Sequence, residues 1–360
     1  MSKKLSVSFI LHFWGREPTG GLRIIYEYAN RLAQRSWQVS VVHPARLLPE
    51  NGLSPLKKIR RRLGFFKNRL LGAYLPKKWF TIDRRVKMVL VPDLSERYIP
   101  DADYIIACPV QSAAFVNSYS PVKGKKHYFI QHFEDWAMPA ADVEKTWKMP
   151  LKKIVIARWL QDKAKELGEK AIYIPNGLDF ASFGVDIPHP DRNQKTVLFL
   201  SHYLETKGTK FAVEAVSKLR QKHPDLEVHA FGVTGKPSYF PDFIIYHKDQ
   251  PQRIIRTLYN SARIFISPSL SEGWDLPTCE AMMCGCAVVA TDIPGHREYI
   301  IDKQNGVFCA PGSADSIFET VDWLISTPAA SESIAKRAPD SLKKFDWDSR
   351  VVLFENALLS

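Results

Sequence analysis

The chain has 360 residues, 45% of them apolar, and carries 50 Lys and Arg against 38 Asp and Glu, a net charge of +12. That length suits two domains of about 150–180 residues with sizeable cores, and no apolar run reaches the roughly 18 residues that a membrane-spanning helix needs. Five cysteines, at 108, 279, 284, 286 and 309, show neither a disulfide framework nor metal-ligand spacing, so core thiols of a cytosolic protein are expected.

Lys3 and Lys4 precede the apolar run Leu5–Leu11, which resembles the start of a signal peptide. The run is short, lacks a small-residue cleavage site and continues into His12, Trp14 and Arg16, so it reads as a first β-strand. Gly20 and Gly21 then open a helix over Gly21–Arg35, striped by Leu22, Ile25, Ala29 and Leu32. A strand at Gln38–His43 follows.

The charge is uneven: residues 1–180 hold 31 basic against 16 acidic residues, and residues 181–360 hold 19 against 22. Leu56–Phe80 alone has nine basic residues and no acid. Leu56, Ile59, Leu63, Phe66 and Leu70 recur there every three or four residues, which fits a basic amphipathic helix on an anionic membrane surface or, equally simply, a solvated element of the first domain. The chain has no helix-turn-helix, zinc or RNA-binding signature, so nucleic acid is not expected as a partner.

Strands at Val86–Val91, Tyr104–Cys108, His127–Gln131, Ile154–Ala157 and Ala171–Ile174 continue the first half, with a helix at Arg158–Leu167 closed by Gly168. The strand His127–Gln131 empties into a polar, aromatic cluster of His132, Phe133, Glu134, Asp135 and Trp136. The proline-bearing stretch Phe183–Lys195 reads as an interdomain linker. After it, strands at Thr196–Leu200, Glu227–Phe231, Ile264–Ser267 and Ala287–Ala290 alternate with helices at Gly208–Gln221, Pro251–Ala262, Pro277–Cys284 and Ser313–Leu324. A last amphipathic segment, Trp347–Leu359, has no readable docking surface. The expected domains are 1–185 and 186–340, with a C-terminal helix over 341–360. Apolar strands joined by helices imply parallel sheets covered on both faces, with ligands at the carboxyl ends of the strands.

The most informative segment is Ser271-Glu272-Gly-Trp-Asp-Leu-Pro-Thr-Cys-Glu280-Ala-Met-Met-Cys-Gly285. Gly273 and Pro277 frame a turn, with Pro277 as the first residue of a helix. Glu272 then lies on the loop and Glu280 in the first helical turn. A helix N-terminus binds phosphate, and carboxylates beside it accept hydrogen bonds from hydroxyls. Phosphate with a polyhydroxylated sugar means a nucleotide sugar. The chain has no Gly-x-Gly-x-x-Gly after its first strand, no Walker A motif, no Gly-x-Ser-x-Gly elbow and no Asp-x-Asp at a strand end, so neither a dinucleotide cofactor nor a metal is expected.

With Ala287–Glu298, Pro175–Asp179, Lys207-Gly208 and Gly20-Gly21, this Glu-x7-Glu block resembles family four of the retaining, nucleotide-sugar-dependent glycosyltransferases. The resemblance implies an α/β protein of the GT-B fold, two doubly wound Rossmann-like domains facing a central cleft. The first would be the acceptor side and the second would bind the donor. It implies that Glu280 binds the donor ribose and that Gly273, Leu276, Pro277 and Thr278 hold the pyrophosphate. Gly20 and Gly21 would approach it from the first domain, and Lys207 would stabilise the leaving group. The Arg that the family sets five residues before that lysine is here His202. Either His202 takes its place or another base such as Arg158 does.

Glu272 and His132 carry the catalytic roles that the resemblance implies, both close to the transferred sugar. Glu134, Asp135 and Trp136 would bind the acceptor. The implied activity is transfer, with retention of configuration, from a nucleoside diphosphate-sugar to a glycan or lipid-linked glycan. The Gln-x-Phe-Glu run is similar to that of bacterial surface-polysaccharide rhamnosyltransferases. No cofactor is implied, and the expected location is the cytoplasm, with docking on the inner membrane face resting on Leu56–Phe80. Two other readings stay open: a nucleotide-sugar epimerase or hydrolase on the same fold, and a catalytically silent glycan- or membrane-surface-binding protein.

Overall fold

The computed structural model describes residues 4–48 and 54–360, except the side chains of Pro55 and Lys58. Lys3, read with Lys4 at the N-terminus, lies outside the described residues. The chain divides into two compact units, one of Met1–Asn176 with Asp348–Ser360 and one of Gly177–Trp347.

In the first unit, β1 (Ser6–Ile10), α1 (Gly20–Gln34), β2 (Gln38–Pro44), α2 (Pro55–Leu71), β3 (Lys87–Val91) and β4 (Tyr104–Ala107) are followed by α3 (Val110–Ser118), β5 (Lys125–Ile130), α4 (Ala140–Trp147), β6 (Lys152–Val155), α5 (Arg158–Glu166) and β7 (Ala171–Tyr173). The strands form one parallel sheet in the order β3-β2-β1-β4-β5-β6-β7. The connection reverses direction between β1 and β4, the switch point where doubly wound sheets open a crevice at the strand carboxyl ends. Apolar runs such as Phe9–Leu11 and Ile105–Ala107 are buried because helices cover both faces.

The second unit repeats the plan with β8 (Thr196–Leu200), α6 (Thr209–Lys222), β9 (Glu227–Gly232), β10 (Ile244–Lys248), α7 (Gln252–Ser261), β11 (Ile264–Ser267), α8 (Leu276–Met283), β12 (Ala287–Thr291), α9 (Pro294–Arg297), β13 (Val307–Cys309), α10 (Ala314–Ser326) and α11 (Pro328–Leu342). Its parallel order is β10-β9-β8-β11-β12-β13, with the switch point between β8 and β11. Val197, Phe199, Ile264 and Val289 of the sheet pack with Val216 of α6 and Ile317 of α10 in one buried cluster. All five cysteines are buried and free.

Several expectations shift. The segment Phe183–Lys195, read as a linker, belongs to the second unit, where the buried Arg192 guanidinium donates to the carbonyls of Ile187, Tyr259, Ala262 and Cys284. A cation satisfying four backbone carbonyls is a fixed staple, and the division falls at Asn176, earlier than 185. The final helix, α12 (Trp347–Leu359), packs from Asp348 onward on the first unit: Phe354 stacks on Tyr28 at 4.1 Å and meets Phe129 edge-on at 5.5 Å. Glu355 accepts from Trp37 Nε1 at 2.6 Å and pairs with Arg35, also at 2.6 Å.

The basic segment is helical only to Leu71, where Gly72 closes α2 in the left-handed region at φ 61°. Trp79 and Phe80 turn back to pack on Tyr26, at ring distances of 5.8 and 5.5 Å.

Candidate functional site

In the second unit, two turns at strand carboxyl ends bring the charged residues together. After β8 the chain makes a tight turn through Gly208, at φ 64°, where any Cβ would collide with the Pro268 carbonyl. That close approach sets Lys207 against the loop after β11. Lys207 Nζ lies 2.5 Å from Glu272 Oε1, to which Ser269 Oγ also donates at 2.8 Å. Glu272 is only 8% exposed. Burial opposes the charge on Lys207, but Glu272 and then Asp275 outweigh it and hold its pKa above the ordinary lysine range. Behind the loop, a Cβ on Gly295 would collide with the Glu272 carbonyl, so the turn into α9 fixes the Glu272 backbone.

Helix α8 begins at Leu276, with Pro277 its second residue, so Glu280 falls in the second turn and not the first. Tyr259 of α7 donates to Glu280 Oε2 at 3.2 Å. Among the described residues no side chain caps α8. Its first-turn amides, that of Thr278 among them, have no intrahelical acceptor, and the helix dipole favours an anion there. The N-cap residue is Asp275, whose carboxylate instead accepts from Ser267 and Thr278 and meets His296.

His202 follows β8. Its amide donates to Thr209 Oγ1 at 2.9 Å, and its Nδ1 accepts from the Leu204 amide at 3.1 Å. Burial, reinforced by the neighbouring Lys207 charge, lowers its pKa to about 4. It is therefore a neutral ring near pH 7, with its proton on Nε2, and supplies a hydrogen-bond donor without the fixed charge of an arginine. Arg158, the other base considered, lies at the start of α5 in the first unit, its guanidinium 4.6 Å from the Tyr173 ring centre.

The remaining residues singled out from the sequence sit in the first unit at the carboxyl side of its sheet. Helix α1 starts at Gly20, with Thr19 as N-cap accepting from the Leu22 amide. The Gly21 carbonyl accepts from Gln131 Nε2 at 3.2 Å. The His132 ring is flanked edge-on by Trp136 at 4.5 Å and Trp159 at 5.4 Å. Trp136 is 61% exposed, and Asp135 is exposed beside it. Glu134 turns to the start of α3, where Oε2 accepts from the Val110 amide at 2.5 Å, and burial raises its pKa to about 7 despite that contact. Trp159, Tyr259, Asp275 and His296 were not picked out from the sequence. Only Asp275, at the helix-start position before Leu276, carried a local signal.

Residues 186–341 match the family described as Glycosyl transferases group 1. The second unit carries a group 1 glycosyltransferase domain. A curated relative of the chain, phosphatidyl-myo-inositol mannosyltransferase of Mycolicibacterium smegmatis, is 28% identical over 201 residues, 53% of this chain and 51% of that protein. In this relative and the next ones the chain spans about half of the curated protein's length. Among solved structures, Anabaena Alr3699/HepE with UDP and glucose superposes at a TM-score of 0.74 with 15% identity, covering 99% of each chain. A point mutant of S. aureus TarM, in complex with UDP, superposes at 0.75 with 12% identity, covering 99% of this chain and all of that one. At such identities the likeness is one of fold. The group 1 glycosyltransferase domain thus stands in a chain whose two Rossmann-like units have the GT-B fold.

Proposed function

We propose that the protein moves a sugar from a nucleoside diphosphate-sugar to a glycan or lipid-linked glycan acceptor, with retention of configuration, in bacterial surface-polysaccharide synthesis. One observation carries the reading: the Lys207–Glu272 ion pair stands beside an uncapped helix start within the matched domain. In this reading the first-turn amides of α8 and the Lys207 ammonium bind the donor pyrophosphate and stabilise the leaving group. His202 adds a neutral donor at Nε2. Glu280 accepts from the ribose hydroxyls and Glu272 from the transferred sugar. Retention follows if the departing phosphate oxygen takes the acceptor proton on the face it leaves, so that no separate base is needed. UDP is the first nucleotide to try, because Alr3699/HepE and TarM were crystallised with it.

On the acceptor side, the exposed Trp136 and the ring of His132 offer a stacking face and a polar edge, a common pairing for sugars. Helix α2 supports docking on the inner face of the membrane. Leu56, Ile59, Leu63, Phe66 and Leu70 are 56–88% exposed on a helix with no acid. This reading places the protein in the cytoplasm.

The test is a thermal-shift screen against UDP-, GDP-, ADP- and dTDP-sugars, followed by incubation of the stabilising donor with a panel of glycan and lipid-linked acceptors and NMR of the product anomer. Transfer with the donor's own anomeric configuration supports the proposal. An epimerised or hydrolysed sugar with donor alone favours the rival enzyme reading, and donor binding with no turnover favours a silent binding protein.

A further inference from the structure

An aspartate at a helix N-cap ordinarily turns its carboxylate onto the amides of the first turn. Asp275 does not. Its Oδ2 accepts from Ser267 Oγ at 2.6 Å and from Thr278 Oγ1, and lies 3.2 Å from His296 Nε2. His296 Nδ1 is 2.7 Å from the Thr291 carbonyl. Nδ1 thus faces one acceptor oxygen, and Nε2 faces the Asp275 carboxylate together with Ser267 Oγ, also at 3.2 Å; a ring that donates from both nitrogens, the imidazolium, bonds the carbonyl and the carboxylate at once. His296 has no exposed surface and Asp275 only 4%, so the two meet at 3.2 Å in the interior of the unit. The pair ties the ends of β11 and β12 to the start of α8, and Thr291 Oγ1 donates to the Ser269 carbonyl on the same side.

We infer that the Asp275–His296 pair is a positioning device of the donor site, in which the buried imidazolium draws the Asp275 carboxylate away from the first turn of α8 and neutralises it. The inference rests on the donor reading above. Without His296, only the Ser267 and Thr278 hydroxyls hold the carboxylate, which can turn onto the amides of its own helix and occupy the anion position, and its less compensated charge repels a diphosphate. With His296, the same residue braces the loop that carries Glu272 while leaving the helix start to the ligand. Neither residue touches the donor; both act through α8.

The experiment measures binding of UDP, and of inorganic pyrophosphate as a base-independent probe, by calorimetry on the full chain. The variants are His296→Gln, Asp275→Asn and the double, with thermal melting to confirm folding. We expect His296→Gln to weaken both ligands about tenfold, because it removes the cation that faces the aspartate. Asp275→Asn should stay within about threefold of wild type, since an amide carries no charge and can hydrogen-bond a neutral His296. The double variant should recover to within about threefold of wild type, which loss of a purely structural brace would not allow.

Binding in His296→Gln equal to wild type, or a double variant as weak as His296→Gln, overturns the inference. If His296→Gln does not fold, the other two variants decide: both binding near wild type sustains the inference, and tenfold weakening in Asp275→Asn overturns it. A folded wild type that binds neither UDP nor pyrophosphate overturns the donor reading itself, and the pairing role with it.

Discussion

Lys207 and Glu272, 65 residues apart in sequence, meet at 2.5 Å because the Gly208 turn lies directly against Pro268. The pair is partly sheltered, with 26% of the lysine side chain and 8% of the glutamate exposed. Removing either partner strands a charge. Lys207→Met should cost about 1–3 kcal/mol in urea unfolding, and the Lys207→Met/Glu272→Gln double distinctly less than the sum of the singles. Additive losses would mean that the two side chains are not coupled in solution.

His202 stands five residues before Lys207, and its ring is neutral because burial and Lys207 lower its pKa to about 4. Substitution by arginine adds a fixed charge, so His202→Arg should tighten UDP binding about three- to tenfold and steepen its salt dependence. His202→Gln, also neutral, should stay within about twofold of wild type. Calorimetry at two salt concentrations checks both, and an arginine variant that binds no more tightly would show that His202 lies off the phosphate path.

Glu134 provides a pH signature for the first unit. Its folded pKa is raised from the ordinary 4.5 to about 7, by burial against the opposing Val110 amide. A raised value means that the folded state favours the protonated acid. The stabilisation is complete below about pH 4.5 and fades as pH rises through about 7. The loss amounts to roughly 2 kcal/mol once partial exposure is allowed for. Glu134→Gln keeps an acceptor for the Val110 amide and loses the titration. Its urea midpoint should therefore change less than that of wild type between pH 5 and 8 and exceed it at pH 8; parallel pH profiles would contradict this.

Helix α2 predicts lipid dependence separable from the donor site. Leu63→Glu with Phe66→Glu should abolish sedimentation with vesicles containing about 30% anionic lipid while leaving UDP binding within about twofold of wild type. Wild-type protein should itself release from the vesicles as salt rises. Unchanged vesicle binding in the double variant would assign the exposed stripe to another partner.

The sequence was most legible where one local rule acts alone. Predominantly apolar runs marked eleven of the thirteen strands among the described residues, because strands buried on both faces need no strict alternation. Ile244–Lys248 and Val307–Cys309 escaped notice: they are the two edge strands of the second sheet, the first ending in Tyr246, His247 and Lys248 and the second flanked by Gly306 and Pro311. The place of Trp347–Leu359 was not readable either, since its partners Tyr28 and Phe129 lie more than 200 residues away. In the candidate site, Glu272, Lys207 and Glu280 announce themselves by residue type and spacing. His296 does not, because a buried histidine acquires meaning only when folding sets Asp275 and the Thr291 carbonyl against its two nitrogens.

In the proposed reaction Glu272 and Glu280 divide the handling of one nucleotide-sugar donor. Donor affinity and transfer rate in Glu280→Ala and Glu272→Ala, measured with the donor that stabilises the wild type, separate the two roles. Glu280→Ala should bind the donor at least tenfold more weakly, and Glu272→Ala should bind it near-normally with turnover reduced about a hundredfold or more. Wild-type affinity and wild-type transfer rate in both variants would contradict that division.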